Sequence, residues 1–170
     1  MNRLLIKDIV IINEGIRTSG DIYIEGELIK EIGANLKHDK GIKIIDGNGR
    51  IAIPGMIDDQ VHFREPGLTH KGNISTESKA AIAGGVTSYF EMPNTFPNTT
   101  SRKELEKKIQ IASKNSFANF SFMFGGTNDN IEEIKKLDAK EVAGIKLFLG
   151  SSTGKMLIDN HDSIEKIFNS

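Results

Sequence analysis

Four side chains between Pro54 and Gly67 have the chemistry of a site: Asp58, Gln60, His62 and Arg64, in the run Pro-Gly-Met-Ile-Asp-Asp-Gln-Val-His-Phe-Arg-Glu-Pro-Gly. The run enters apolar and leaves polar, so a strand here is buried at its start and carries reactive groups at its end. Side chains of an extended chain alternate, which puts Asp58, Gln60 and His62 on one face. Neutral imidazole is a common metal ligand, so His62 is a candidate ligand; the plain alternative is a hydrogen-bonded histidine beside a turn. Arg64 is a planar fork suited to a substrate carboxylate, or else a partner for Glu65 or Glu91. In Glu-Met-Pro-Asn-Thr (91–95), Asn94 either hydrogen-bonds a ligand or holds the turn after Pro93. In Gly-Ile-Lys-Leu-Phe-Leu-Gly (144–150), Lys146 sits inside an apolar run, where an unpaired ammonium is costly. It either pairs with a carboxylate such as Asp58, snorkels into an opening, or, as the neutral amine, takes up carbon dioxide to give a carbamate that bridges two metal ions. His38, His70 and His161 fall in charged or polar segments and read as surface groups.

The elements that must position these groups fall into two parts. Residues 4–53 read as short strands, with a hairpin that turns at Gly26, and gather no acids, bases or ligands. They are expected to form a small N-terminal β-sandwich, residues 1–53. From Pro54 the pattern becomes strand and helix in alternation. Strands are expected at 56–63, 86–92, 117–124 and 142–149. Helices are expected at 76–83, stopped by Gly84-Gly85, and after 101, 129 and 162. Ser101 and Glu104 have the spacing of a capping box, and the helix they open turns Leu105, Ile109 and Ala112 inward. Phe117, Phe120, Phe122 and Phe124 mark the third strand.

Four strands separated by helices of ~10 residues predict parallel βα units with right-handed crossovers. A doubly wound sheet usually has a Gly-rich phosphate loop after its first strand, and His-Phe-Arg-Glu-Pro-Gly is not one. The expected fold is therefore α/β, a TIM-type barrel, with the polar strand ends at its mouth. A complete barrel has eight strands and ~250 residues. The 170-residue chain is thus expected to hold the first four βα units, residues 54–170. A half barrel has open edges and an uncovered apolar face at Phe120, Phe122, Leu147 and Leu149, so the chain alone is expected to be poorly stable or a homo-oligomer.

Composition narrows the function classes. A net charge of −1 argues against nucleic-acid or anionic-membrane partners. The absence of cysteine excludes disulfides, thiolate chemistry and Cys-ligated zinc, and suits a reducing cytoplasm. Lys7 and Asp8 interrupt the apolar Leu4-Leu5-Ile6, so no secretory signal is expected, and the longest uncharged run, 115–128, is too short and polar to span a bilayer. A small molecule is the expected partner.

The segments 54–67, Ala-Gly-Gly-Val-Thr-Ser (83–88), Glu-Met-Pro-Asn-Thr (91–95) and Gly-Ile-Lys-Leu-Phe-Leu-Gly-Ser-Ser-Thr-Gly (144–154) resemble the N-terminal part of a dihydroorotase. Dihydroorotases are cyclic amidases of the amidohydrolase superfamily. Within them, Phe-Arg-Glu-Pro-Gly with Met-Pro-Asn-Thr resembles dihydroorotases more than allantoinases or hydantoinases. The resemblance implies a metal-dependent hydrolase barrel, the first half of which is present, with one or two zinc ions at the strand ends. It implies reversible hydrolysis of dihydroorotate to N-carbamoyl-aspartate in pyrimidine synthesis. His62 and Lys146 match metal ligands, Lys146 as the carboxylated bridging lysine. Arg64 and Asn94 match the residues that grip the substrate carboxylate, and Asp58 matches a supporting acid. Gln60 stands where the family pattern has a first histidine, and its amide oxygen is a weaker, neutral donor. The family's other two histidine ligands and its catalytic aspartate lie on strands five, six and eight. The chain alone is therefore expected to be inactive. The other readings are a non-catalytic homologue used as an assembly module, and a cyclic amidase of the allantoinase or hydantoinase type.

Overall fold

The computed structural model describes residues 2–151 and 156–170, in two compact units that divide between Pro54 and Gly55. The Ser-Thr-Gly end of the 144–154 motif lies outside the described residues.

The first unit contains β1 (Arg3–Asn13), β2 (Ile16–Glu25), β3 (Leu28–Gly33), β4 (Lys43–Asp46) and β5 (Ile51–Ala52). The order is β3-β2-β1-β4, with β5 also on β1; β1, β2 and β3 pair antiparallel, and β4 and β5 run parallel to β1. Gly26 turns the hairpin at φ 63°, a conformation that glycine adopts at no steric cost. The β1–β2 register slips between Ile6 and Ile9, where the amide of Asp8 donates to the buried Asp21 carboxylate at 3.1 Å. The sandwich expectation meets a single five-stranded sheet, and no second sheet faces it among the described residues. Ile29, Ile32 and Ile53 accordingly stay exposed. Alternating isoleucines specify a strand and its two faces, and leave open how many layers stack.

The second unit alternates β6 (Met56–Val61), α1 (Ile74–Ala83), β7 (Val86–Glu91), α2 (Arg102–Asn115), β8 (Asn119–Gly125), α3 (Ile131–Ile134), β9 (Gly144–Lys146) and α4 (His161–Phe168). The four strands are parallel and lie in chain order, β6-β7-β8-β9. A doubly wound sheet would reverse direction; sequential order is that of a barrel wall. The core joins Tyr89, Phe122 and Phe124 of the sheet to Ile74, Leu105 and Ala112 of the helices.

Local signals were met unevenly. The reciprocal cap forms at α1, where Asn73 Oδ1 accepts from the Thr76 amide at 2.9 Å and Thr76 Oγ1 accepts from the Asn73 amide at 3.4 Å. At α2, Ser101 accepts from the Glu104 amide at 3.4 Å without the return bond. The inward face of α2 is Leu105, Lys108 and Ala112, with Ile109 only partly buried. Phe117 precedes β8 and is exposed, under the Lys79 ammonium at 4.6 Å. Because it lies outside β8, the alternation of the strand does not set its direction. Phe122 is 1% exposed, not uncovered as expected, whereas Leu149 is exposed. β9 is shorter than expected, and Phe148 makes only an isolated bridge to Leu157.

Tyr89 is fully buried, with its ring 4.5 Å from that of Phe63 and its hydroxyl 3.1 Å from Ser116 Oγ. Burial pushes its phenol up to about 12, partly opposed by the Ser116 hydrogen bond. A raised folded value means that this contribution to stability is complete below pH 10 and is lost as pH climbs to about 12. Ultraviolet titration should resolve the two tyrosines, with Tyr89 ionising near 12 or only on unfolding.

Candidate active site

β6, β7 and β9 deliver the polar groups from their C-terminal ends. β6 carries Asp58 and Gln60, and His62 and Arg64 follow its last residue. β7 ends at Glu91 and runs into residues 92–94, ending at the buried Asn94. β9 ends at Lys146.

Two contacts between candidate side chains are among those that join these ends. His62 Nδ1 lies 2.9 Å from Asn94 Oδ1, and Lys146 Nζ donates to Gln60 Oε1 at 3.5 Å. The second contact spans two intervening strands, roughly 14 Å of flat sheet at the usual strand spacing. It follows readily if the sheet curls with both side chains on the concave face, as a barrel wall does. Lys146 thus reaches an opening, its ammonium 5.3 Å from the Phe148 ring centre, and does not pair with Asp58. Asp58 Oδ1 instead accepts from the Gln60 amide at 3.1 Å.

The Asn94 amide oxygen can only accept, so Nδ1 of His62 carries the proton and Nε2 offers its lone pair. Burial first, then the Arg64 charge, hold His62 below its ordinary 6.5, with the Asn94 hydrogen bond opposing them. The imidazole is therefore neutral at neutral pH, the form that binds a metal or takes up a proton.

Arg64 adopts φ 70°, rare for a bulky side chain. Its amide donates to Glu91 Oε1 at 3.3 Å, yet its guanidinium forms no ion pair among the described residues, with Glu65 or Glu91 included. Glu65 Oε2 is taken by the Ile74 amide at 2.8 Å. Gly67 closes the loop at φ 85° against Phe96, whose carbonyl oxygen would lie 1.9 Å from any added Cβ. The Phe96 amide donates to the Pro66 carbonyl at 3.0 Å, so the loops after β6 and β7 are clamped together.

Behind them lies a pair that the sequence reading missed. Lys108 of α2 is 0% exposed and forms an ion pair with Glu91, itself 1% exposed. Its Nζ also donates to the Met92 carbonyl at 2.9 Å. Burial drives the glutamate upward and the lysine downward, the direction desolvation imposes on any charge. The available signal was spacing: Lys108 lies three residues after Leu105 and four before Ala112, inside the apolar stripe.

A zinc site needs three protein donors or more. Among the described residues no three His, Cys, Asp or Glu side chains gather. One imidazole, one amide oxygen and one amine do not make that set.

Solved structures of two hydantoinases are similar to this one. An L-hydantoinase (dihydropyrimidinase) from Arthrobacter aurescens superposes at TM-score 0.91 and 26% identity, over 99% of this chain and 38% of that one. A D-hydantoinase from a Thermus species gives 0.72 and 33%, over 92% of this chain and 35% of that one. Both of these neighbours are hydantoinases by name. Residues 49–157 match the model of the dihydro-orotase-like family, and the chain belongs to that family. A dihydroorotase of Methanosarcina mazei is 38% identical over 148 residues, 86% of this chain and 32% of its own length. An allantoinase of Salmonella choleraesuis is 35% identical over 158 residues, 92% of this chain and 34% of its own length. The chain thus spans about a third of the length of the curated relatives it matches.

Proposed function

We propose that the protein carrying this chain is a dihydroorotase, interconverting dihydroorotate and N-carbamoyl-aspartate in pyrimidine synthesis, and that this chain supplies the carboxylate grip and part of the reaction site. The carrying observation is the Arg64 guanidinium, without an ion pair among the described residues, beside a neutral His62 fixed by Asn94. Ring opening adds water across the amide: oxygen joins the carbonyl carbon, the C–N bond breaks and the ring nitrogen gains a proton. Arg64 and Asn94 bind the ring carboxylate and orient that amide toward His62 and Lys146. Zinc belongs to this proposal for the whole protein only. His62 and Lys146, with Gln60 as a weaker donor, are this chain's share of its ligands, and Asp58 braces Gln60. A cytoplasmic setting and self-association of the chain alone are part of the same reading.

In the protein carrying the chain, Arg64→Ala should lower kcat/KM for dihydroorotate on the order of a hundredfold, through lost charge-assisted hydrogen bonds. The carboxamide analogue should lose far less. An equal loss for both, or none, refutes the carboxylate grip. The 35% identity to an allantoinase favours a second reading, a different ring as substrate, under which Arg64→Ala spares turnover of the preferred ring. Gln60 in place of a histidine favours the assembly-module reading, which predicts no turnover in the protein at all. Purified chain with zinc and dihydroorotate should yield no N-carbamoyl-aspartate, because the described residues lack a full donor set; metal-dependent product would overturn this.

A further inference from the structure

We propose that the buried Lys108–Glu91 pair is the positioning element of the carboxylate grip, holding the backbone at Arg64 and at residues 92–94 so that Arg64 and Asn94 face one ligand. The inference rests on the carboxylate-binding reading of Arg64 and Asn94.

Both ends of the pair bind backbone of a site loop. Glu91 Oε1 accepts from the amide of Arg64, and Lys108 Nζ donates to the carbonyl of Met92, two residues before Asn94. The Met92 amide in turn donates to the Val61 carbonyl at 2.9 Å, one residue before His62. The pair therefore ties together the chain segments that carry His62, Arg64 and Asn94. Arg64 needs such a tie, since its positive φ is a conformation that surrounding structure must impose. Stability alone does not account for the pair, because apolar residues of similar volume often replace a buried ion pair without loss. Its ammonium lies 5.0 Å from the Phe122 ring centre, and neither charge reaches solvent. Lys108 and Glu91 are thus positioning residues: they act through the loops, not on the substrate.

The test uses the protein carrying this chain and reads the preference for dihydroorotate over its carboxamide analogue, as the ratio of kcat/KM values. General loosening of the fold lowers both values and leaves their ratio; a displaced grip lowers the ratio. The double variant Glu91→Met/Lys108→Met leaves no orphaned charge and should lower the ratio about tenfold, as a small misplacement of binding groups does. Glu91→Gln/Lys108→Met keeps an acceptor for the Arg64 amide but loses the tie to the Met92 carbonyl, and should recover part of the ratio. An unchanged ratio in both doubles, with Arg64→Ala abolishing the preference, overturns the role of the pair and leaves the carboxylate reading standing. An unchanged ratio in Arg64→Ala overturns both. If neither double folds, hydrogen exchange of the unsubstituted protein decides. A protected Arg64 amide supports the tie, and exchange at the rate of an open amide overturns it.

Discussion

Replacing Lys108 alone by methionine should destabilise the unit of residues 55–170 by about 3–5 kcal/mol, the usual consequence of leaving one partner of a buried ion pair uncompensated. Glu91 would then keep the Arg64 amide as its hydrogen bond and lose its counter-charge, at 1% exposure. Burial already raises this carboxyl, so removal of the ammonium raises it further. A raised folded value contributes stability below the unfolded value and loses it as pH rises through the folded one. The deficit should therefore shrink in mildly acid buffer and reach its full size at neutral pH. Urea unfolding of the variant and the parent at the two pH values measures it. A deficit that grows toward acid pH would contradict a buried, unpaired Glu91.

Phe122→Ala should cost a similar amount, about 3–5 kcal/mol, the range for truncating a fully buried phenylalanine. The ring is 1% exposed, 5.6 Å from the Phe120 ring and 5.0 Å from the Lys108 ammonium. Its loss leaves a cavity under α2 and removes a cation–π contact, worth more where the cation is desolvated. Because Phe122 and Lys108 touch, the two substitutions should not add. A double-mutant cycle by urea unfolding measures the coupling. Phe117→Ala, at an exposed ring, should cost far less in the same assay.

These two residues mark where sequence reading stopped. Phe122 is legible as a strand residue with Phe120 and Phe124, but the face that a half barrel is expected to leave uncovered is covered at Phe122 by α2. Lys108 is not among the inward residues that the apolar spacing picks out, because a charge on a helix is ordinarily solvated. Ser101 and Glu104 had the better-known capping pattern, and the reciprocal bond formed at Asn73 and Thr76 instead. A cap needs the N3 side chain to turn back, which flanking packing decides.

The polar strand ends were legible at once. Period two places Asp58, Gln60 and His62 on one side of a strand, and the glycine and proline punctuation bounds the βα units. Those are local properties, determined by the chain within a few residues. Whether Lys146 meets Asp58 or Gln60, whether Arg64 finds a carboxylate, and which lysine enters the core depend on strand curvature and helix docking. Those contacts join residues tens of positions apart, where alternation and spacing carry no information, and only the assembled sheet with its covering helices chooses among the partners.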